Sequence, residues 1–420
     1  MKLDKYSFGI GDRFALQGTA QLKAFQKALQ EYKVHITPVW NKSYREHKTV
    51  HSHPESVRSE ADTAARSLGW EGDYLVDADH INLSNVDDFL ASSDFFTIDV
   101  AEYINADISH EEIEYFIKVN SRYIGKISIP GIDRPLDISR DFIRRSAEKF
   151  LKAIQEASRI YQYIIARKGK DFIAEVSMDE VEEPQSPAEL FMVLSGLAQY
   201  GVNIQTIAPK FTGRFNKGVD YVGDIQTFRN EFEEDLLVID YAIKEFQLAE
   251  NLKLSVHSGS DKFSIYPSIQ AITRKHDKGV HIKTAGTTWL EEIAGLALSG
   301  GSGLEMAKRI YKEAVGRFDE LTRPYSTVID IGFDRLPKPE QVNTWDNRRF
   351  CATLRHDPEN PYYNPEFRQL LHVAYKVAAE YGDQFLNLVR QNEGIIGELV
   401  TENLYLNHIK PIFIEESLFL

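Results

Sequence analysis

The chain of 420 residues is 43% hydrophobic and 27% charged, proportions that are ordinary for a folded enzyme with a large core and that exclude a disordered chain. This length exceeds the needs of one small core and fits a (β/α)₈ barrel of about 250 residues with additions. The formal net charge is −14 with histidine neutral. Because an acidic surface repels the phosphate backbone, we expect no nucleic-acid partner.

Short apolar runs alternate with longer amphipathic stretches along the first 300 residues, a pattern typical of βα units and a parallel sheet. We predict eight strands, at residues 6–10, 34–39, 74–79, 95–100, 172–178, 204–208, 253–257 and 280–285. Helices are predicted at residues 19–31, 54–68, 139–168, 187–200 and 225–245. Eight strands separated in this way fit a TIM-type (β/α)₈ barrel, and an open doubly wound sheet is the alternative.

Two segments break the alternation. Residues 105–138 are predicted to be an insertion after the fourth strand, in which Ser109 begins a capped helix. Residues 305–420 consist mostly of helical patterns. We therefore predict a barrel domain at residues 1–304 and a helical C-terminal extension at 305–420 that packs on the barrel.

Cysteine usage and the absence of targeting patterns indicate the compartment. The single cysteine, Cys351, cannot form an internal disulfide, which favours the reducing cytoplasm. The start of the chain lacks the apolar run of a signal peptide, and no stretch approaches the ~18 uncharged apolar residues of a membrane span. We expect a cytoplasmic protein with no membrane partner, and the oligomeric state stays open.

Three histidines are candidate metal ligands, because barrel active sites lie at the carboxyl ends of the strands. His80 follows the third predicted strand and His257 ends the seventh. His281 is the third candidate, provided that its strand begins late enough to bring it to the rim. Imidazole and carboxylate suit Zn²⁺, Mn²⁺, Fe²⁺, Co²⁺ or Ni²⁺. The alternatives are a helix-capping role for His80 and a packed core position for His257.

Two carboxylates on the fifth strand are candidate catalytic groups. Glu175 lies inside the strand and Asp179 at its end. A carboxylate inside a barrel is costly unless it is paired or bound to metal, so function is favoured for Glu175 over an ion pair with Lys210 or Lys283. The alternative for Asp179 is a solvated position in its acidic run.

A further set of charged residues is predicted to bind an anionic, hydroxylated substrate. The guanidinium group suits carboxylates because it offers a bidentate fork. Residues 53–58 also resemble a helix N-terminus, where backbone N–H groups favour an anion. The predicted substrate-binding residues are Arg13, Arg58, Asp79, Lys210, Asp261 and Lys262. Histidines 47, 51 and 53 are interpreted as part of a mobile lid, with a second metal site as the alternative.

Five segments, in this order, resemble the tagaturonate/fructuronate epimerase family of bacterial hexuronate catabolism. They are residues 9–14 (GIGDRF), 53–58 (HPESVR), 77–82 (DADHIN), 257–263 (HSGSDKF) and 281–287 (HIKTAGT). The resemblance implies a divalent metal and a C4 epimerisation that interconverts D-tagaturonate and D-fructuronate.

The resemblance also implies a demanding reaction, because C4 is β to the C2 ketone and its proton is not acidic. Retro-aldol cleavage between C3 and C4, rotation of the aldehyde half and religation would invert C4, with one acid/base group on each side. On this hypothesis His80, His257 and His281 hold the metal, and Arg13, Lys210 and Lys262 hold the carboxylate or hydroxyls. Glu175 and Asp179 transfer protons, with a role as metal ligand as the alternative for either. The missing G-x-G-x-x-G after the first strand disfavours a transient oxidation with bound NAD.

Two other functions stay open from the sequence. One is a metal-dependent sugar isomerase or aldolase on the same barrel. The other is a sugar-acid-binding protein without catalysis, which is disfavoured because burying many ionisable groups is costly without a chemical return.

Overall fold

The structure, a computed structural model, describes residues 1–179, 181–258, 260–284 and 286–414. Within these ranges the strands are β1 (Tyr6–Ile10), β2 (Thr37–Ser43), β3 (Leu75–Ile81), β4 (Phe95–Asp99), β5 (Gly125–Ile127), β6 (Leu136–Ile138), β7 (Ile173–Ser177), β8 (Thr206–Ala208), β9 (Lys253–His257) and β10 (Val280–Lys283). All except β5 and β6 form a closed barrel in the order β1-β2-β3-β4-β7-β8-β9-β10, and its neighbouring strands are parallel. The predicted closed barrel is confirmed, and the open sheet is excluded.

Helices follow the barrel strands and cover the outside of the barrel. They are α1 (Gly18–Tyr32), α2 (Tyr44–Val50), α3 (Glu55–Leu68), α4 (His110–Asn120), α5 (Arg140–Lys168), α6 (Pro187–Gln199), α7 (Ile225–Phe246), α8 (Tyr266–Lys275) and α9 (Thr287–Ser299). Serine–glutamate capping boxes start α2, α4 and α6, so the predicted start at Ser109 is confirmed. The stretch after β4 contains α4 and the antiparallel β5–β6 hairpin.

Residues 301–414 are mostly helical, as predicted for the C-terminal extension at 305–420, of which residues 415–420 lie outside the described residues. The elements of this region are α10 (Gly301–Gly316), α11 (Phe318–Thr322), α12 (Pro339–Asn343), α13 (Asn347–Leu354), α14 (Pro365–Val373), α15 (Tyr375–Glu380), α16 (Asp383–Gln391), α17 (Glu393–Glu402), a π-helix (Asn403–Ile409) and α18 (Lys410–Phe413). α17 packs against α1 and α9, and α18 against α8. The domain boundary at residue 304 stays a prediction.

The barrel interior changes from apolar to charged along its axis. At the amino ends of the strands, Leu3, Val39, Leu75, Phe95 and Ile173 form a buried apolar layer. Side chains on a strand face the same side every second residue, so the next inward positions on β3, β4 and β7 are Asp77, Thr97 and Glu175. These three residues are at most 2% exposed. The apolar layer closes one end of the barrel, and the charged layer above it forms the base of the candidate site.

Strand β2 lies further along the chain than predicted, at residues 37–43 instead of 34–39. The polar residues Asn41 and Lys42 argued against a strand there. The pairing with β3 nevertheless places Asn41 beside Asp77 and Ser43 beside Asp79, so a strand of this barrel becomes polar at its carboxyl end. The following segment, interpreted as part of a lid, contains helix α2.

No helix in the described ranges is both long enough and apolar enough to cross a membrane.

Candidate metal centre

His80 lies within β3, not after it, and a local irregularity directs its side chain. The pairing of β3 with β4 shifts between Ala78 and Ile81, and His80 has φ of 56°. Positive φ is uncommon outside glycine, and a bulge re-aims the side chain it carries. Nδ1 of His80 lies 2.8 Å from the Asp79 carboxylate. Its Nε2 is buried and has no hydrogen-bond partner among the residues that the structure describes.

His257 lies at the end of β9 and is held in the same way. Its Nε2 lies 2.8 Å from Oε1 of Glu175, and its Nδ1 lies 3.1 Å from the Asp179 carboxylate. The geometry at Nδ1 is not that of a hydrogen bond, and in the described ranges this nitrogen has no such partner. Asp179 accepts a hydrogen bond from Ser177 Oγ at 2.5 Å. Each imidazole therefore has one nitrogen fixed by a carboxylate and one nitrogen available.

His80, Asp179 and His257 form one group whose potential ligand atoms lie within 4.8 Å of one another. They come from β3, from the turn after β7 and from β9. Three nitrogen and oxygen ligands with further positions open are typical of a catalytic metal site. Metal-bound imidazoles commonly donate their second N–H to a carboxylate, as His80 and His257 are placed to do. This donor set fits a divalent metal ion.

Lys283 is the only positive group shared by the carboxylates behind the two histidines in the described ranges. Its Nζ donates to Asp77 at 2.7 Å, Asp79 at 2.9 Å and Thr97 at 2.6 Å, and lies 3.3 Å from Glu175. Burial lowers the pKa of Lys283, but the three carboxylates outweigh burial and raise it well above its ordinary value. The ammonium group thus stays charged and fixes the carboxylates that orient His80 and His257.

The charges at this end of the barrel favour additional positive charge. Burial raises the pKa of Glu175, but Lys283 and His257 outweigh it and hold the pKa well below its usual range. Burial lowers the pKa of His80, yet Asp79 raises it to about 10. The pKa of His257 is likewise raised, to about 9, by Asp179 against the effect of burial. Two imidazole protons or one divalent ion can supply the charge that these carboxylates require.

The predicted ligand His281 lies lower in the barrel. It pairs with Ser7 in the sheet, and its Nδ1 lies 2.9 Å from Ser7 Oγ. Burial lowers the pKa of His281 to about 3, so the imidazole is neutral. In the described part of the chain it does not belong to the group of His80, Asp179 and His257. Asp179, predicted as an acid/base group with a role as metal ligand as the alternative, takes the third position instead.

Arg58 lies away from this group. Its Nε donates to the carbonyl of Ser92 at 2.9 Å, and its Nη2 pairs with Asp94 at 2.5 Å. Asp94 directly precedes β4, so this contact lies at the amino end of the strand, opposite His80. The structure does not bring Arg58 to the predicted substrate site.

Asp261 and Lys262 bind the protein's own loops. Nζ of Lys262 donates to the carbonyls of Asn216 and Val219, both at 2.8 Å. Asp261 is fully buried and pairs with Arg368 at 2.5 Å and with His356 at 3.1 Å. These contacts hold the loops after β8 and β9 together and against the C-terminal helices.

The other predicted substrate-binding residues lie at or near the carboxyl ends of the strands. Asp79 is occupied by His80 and Lys283. Lys210 is half-buried and lies two residues after the end of β8. Arg13, after β1, is buried, pairs with Glu46 and lies over the ring of Tyr375, 4.8 Å from its centroid.

Several residues of the site were not predicted. Lys283 was considered only as an ion-pair alternative for Glu175, and the sequence did not show that it meets three carboxylates from the two strands β3 and β7. Three residues of the C-terminal helical region had no sequence pattern that linked them to the barrel, because they reach it only through tertiary packing. They are Tyr375, Arg368 and His356.

A closed (β/α)₈ barrel whose strand ends gather two imidazoles and a carboxylate defines a barrel enzyme with a candidate metal centre. Residues 1–411 match the tagaturonate epimerase family, and the chain belongs to that family. The predicted resemblance and the assignment to the isomerase class of enzymes are therefore confirmed.

Individual relatives agree with the family match. The chain is 27% identical over 417 residues to the tagaturonate/fructuronate epimerase of Thermotoga maritima, covering 95% of this chain and 79% of that protein. The fold is similar to that of the glycerol-bound fructuronate-tagaturonate epimerase from Cohnella laeviribosi, with a TM-score of 0.81 and 23% identity over 98% of this chain and 82% of that one. A native crystal structure of the same enzyme gives a TM-score of 0.80 over 98% of this chain and 82% of the other.

Proposed function

We propose that this chain is a cytoplasmic, metal-dependent epimerase that interconverts D-tagaturonate and D-fructuronate at C4. Membership of the tagaturonate epimerase family supports the substrate and the reaction. The observation that carries the metal dependence is the convergence of His80, Asp179 and His257 within 4.8 Å.

The proposed metal ligands are Nε2 of His80, Nδ1 of His257 and a carboxylate oxygen of Asp179. A bound Zn²⁺, Mn²⁺, Ni²⁺, Co²⁺ or Fe²⁺ would polarise the C2 carbonyl and the C3 hydroxyl of the sugar acid. Asp79 and Glu175 hold the second nitrogens of the two imidazoles. The protein therefore presents the two ligand nitrogens in fixed orientations before the ion arrives.

The reaction inverts C4 through a cleavage that needs proton transfer at O4. The O4 proton passes to a base, the C3–C4 bond breaks, and its electron pair moves toward the C2 carbonyl to give an enediolate. The C4 aldehyde rotates, the C3–C4 bond re-forms on its other face, and O4 regains a proton. Atoms and electrons balance without an external oxidant.

Glu175 and Asp179 are the proposed proton-transferring pair, and they lie against opposite nitrogens of His257. Glu175 has a buried Oε2 without a hydrogen-bond partner among the described residues, so this oxygen is available to accept a proton. Asp179 also belongs to the proposed ligand group. In Asp179→Asn, loss of metal binding would assign the residue to the metal, whereas lost turnover with retained metal would assign it to proton transfer.

For the substrate's carboxylate and hydroxyls we propose Arg13 and Lys210. The ammonium group of Lys262 already donates hydrogen bonds to the carbonyls of Asn216 and Val219. We therefore propose that Lys262 stabilises the loop conformation and does not bind the substrate. We assign Asp261 to the same role, because its carboxylate is engaged by the C-terminal region.

The function is tested by incubating the metal-loaded protein with D-tagaturonate and following the products by NMR. We expect D-fructuronate and an equilibrium that is also reached from the fructuronate side. Stoichiometric three-carbon products would instead show an aldolase, and a shifted carbonyl would show an isomerase. Binding without any conversion would show a sugar-acid-binding protein.

A further inference from the structure

The N-terminus of α9 lies at the carboxyl end of the barrel and carries no side-chain cap from the described residues. The helix has 13 residues, and its N-cap is Gly286 with φ of 92°. The first backbone N–H groups of a helix lack intrahelical partners, and together with the helix dipole they favour a negatively charged group. Because α9 directly follows the last barrel strand, its N-terminus lies beside the barrel mouth.

Buried polar atoms without partners surround this N-terminus. His372 on α14 is 1% exposed, and a Cβ added to Gly286 would lie 2.4 Å from its Nε2 and 3.0 Å from Nη2 of Arg13. Within the described ranges, Nε2 of His372, Oγ1 of Thr287 and Nε of Arg13 all lack hydrogen-bond partners. Leaving such groups unsatisfied costs free energy, so three unpaired polar atoms on residues at or against one helix N-terminus indicate a missing acceptor.

The groups around this N-terminus are hydrogen-bond donors, so the missing partner is an anion and not a cation. Burial and the neighbouring Arg13 lower the pKa of His372 well below its usual range, so this imidazole is neutral and its Nε2 can donate as one tautomer. Arg13 offers five N–H groups, of which the pair with Glu46 occupies only part. The guanidinium carbon of Arg13 also lies over the ring of Tyr375, 4.8 Å from its centroid, which helps to hold the group in place.

We propose that the N-terminus of α9, Arg13, Thr287 and His372 form the subsite that holds the C6 carboxylate of the sugar acid. This inference rests on the proposed function and extends it by adding two residues and a helix terminus. The subsite lies near the metal centre because β1, β10 and β9 are neighbours in the barrel. Arg13 follows β1, α9 follows β10, and His257 ends β9.

The subsite also explains how C4 can invert without release of the aldehyde that forms when the C3–C4 bond breaks. Cleavage of the C3–C4 bond divides the substrate into the enediolate of C1 to C3 and a three-carbon aldehyde that carries the C6 carboxylate. A carboxylate held at α9 keeps this aldehyde in place, while rotation about the C4–C5 bond presents its other face to C3. Retention of this aldehyde therefore distinguishes an epimerase from an aldolase that breaks the same C3–C4 bond and releases both fragments.

The test compares Thr287→Val and His372→Phe, two nearly isosteric changes that remove the polar atoms. We expect the KM for D-tagaturonate to rise about tenfold or more, because a hydrogen bond to a charged group is lost. We also expect release of dihydroxyacetone and 2-hydroxy-3-oxopropanoate to become detectable, with unchanged metal content. His276→Ala is the control, because His276, which directly follows α8, pairs with Glu233 on helix α7, away from the subsite.

A binding experiment separates this proposal from the proposed function. Calorimetry with galactonate and with the uncharged galactitol measures recognition of the carboxylate without turnover. We expect the wild-type protein to prefer galactonate and each variant to lose most of that preference. If the wild-type protein turns over D-tagaturonate while both variants keep its KM, the subsite is wrong. If the wild-type protein shows no turnover, the proposed function fails, and the galactonate preference alone decides the subsite. Equal affinity of the wild-type protein for galactonate and galactitol would also overturn the proposed subsite.

Discussion

Glu175 lies 2.8 Å from Nε2 of His257, while Asp179 lies 3.1 Å from the other nitrogen of the same ring. His80 has the same arrangement on one side, with Asp79 at 2.8 Å from its Nδ1. Both imidazoles are thus oriented by carboxylates that Lys283 contacts. The candidate metal centre depends on this charged layer beneath it.

The first prediction concerns Lys283. Replacing it by methionine leaves Asp77, Asp79 and Glu175 buried without their shared cation. We expect Lys283→Met to lower the free energy of unfolding by about 3–5 kcal/mol, the usual cost of removing one member of a buried ion pair. Chemical denaturation measures this, and Lys275→Met is the control, because Lys275 forms an exposed pair with Glu233 and should cost less than about 1 kcal/mol. Equal losses in the two variants would contradict the role of Lys283.

The second prediction tests whether Asp179 or His281 is the third metal ligand. Asp179→Asn should weaken binding of Mn²⁺ or Zn²⁺ by at least about tenfold, because it removes a charged ligand. His281→Gln should leave the affinity near that of the wild type, because His281 is engaged with Ser7 below the group. Calorimetric titration of the metal-free protein measures both affinities. A larger loss of metal affinity in His281→Gln than in Asp179→Asn would show that His281 is the metal ligand.

The third prediction concerns Arg58. Its contacts with Asp94 and the carbonyl of Ser92 are structural, so Arg58→Ala should lower the melting temperature and leave the KM for D-tagaturonate unchanged. The expected loss of stability is about 1 kcal/mol for a partly buried ion pair with hydrogen bonds. Arg13→Gln is the comparison and should raise the KM. A similar rise of KM in Arg58→Ala would show that Arg58 reaches the substrate.

The fourth prediction is a pH dependence of stability that arises far from the site. Burial, with Glu231 and Glu234 nearby, raises the pKa of Asp235 on α7 well above its ordinary value. Above about pH 4 the unfolded chain loses a proton that the folded chain keeps. The unfolded state then binds fewer protons, so this carboxyl lowers stability as pH rises toward its folded pKa.

Asp235→Asn should therefore stabilise the protein at pH 8 by on the order of 1 kcal/mol, and less at pH 5. Thermal unfolding at the two pH values measures the effect. Asp240→Asn on the same helix is the matched control. Its carboxylate pairs with Lys278 and Lys244, which lower its pKa despite partial burial, so this change should destabilise slightly. A stabilisation that is equal at both pH values would contradict the assignment.

The sequence predicted the barrel and the strand positions of the main ligands because alternation and turn residues are local signals. Strand β9 begins and ends as predicted, and His257 is its last residue. His80 was placed just after a strand, whereas it lies inside β3 at an irregular position with φ of 56°. Such a bulge depends on the pairing with β4 and has no pattern of its own within β3.

The roles of the charged residues were harder to predict because they depend on partners that are distant in sequence. Asp261 and Lys262 were interpreted as substrate-binding because they follow His257 directly. Their side chains instead meet Arg368 and the backbone of residues 216–219. Conversely, His372 gave no signal within the helical C-terminal region, although it lies against the N-cap of α9.

The measurement that tests the metal-dependent epimerase most directly is the NMR-monitored conversion of D-tagaturonate by the metal-free protein, before and after a divalent ion is restored. We expect removal of the metal to lower turnover by at least about a hundredfold, because the ion contributes several kcal/mol of charge stabilisation. We also expect Mn²⁺, Zn²⁺, Ni²⁺, Co²⁺ or Fe²⁺ to restore D-fructuronate formation. Full epimerase activity in protein shown to contain no metal would show that the enzyme does not depend on a metal.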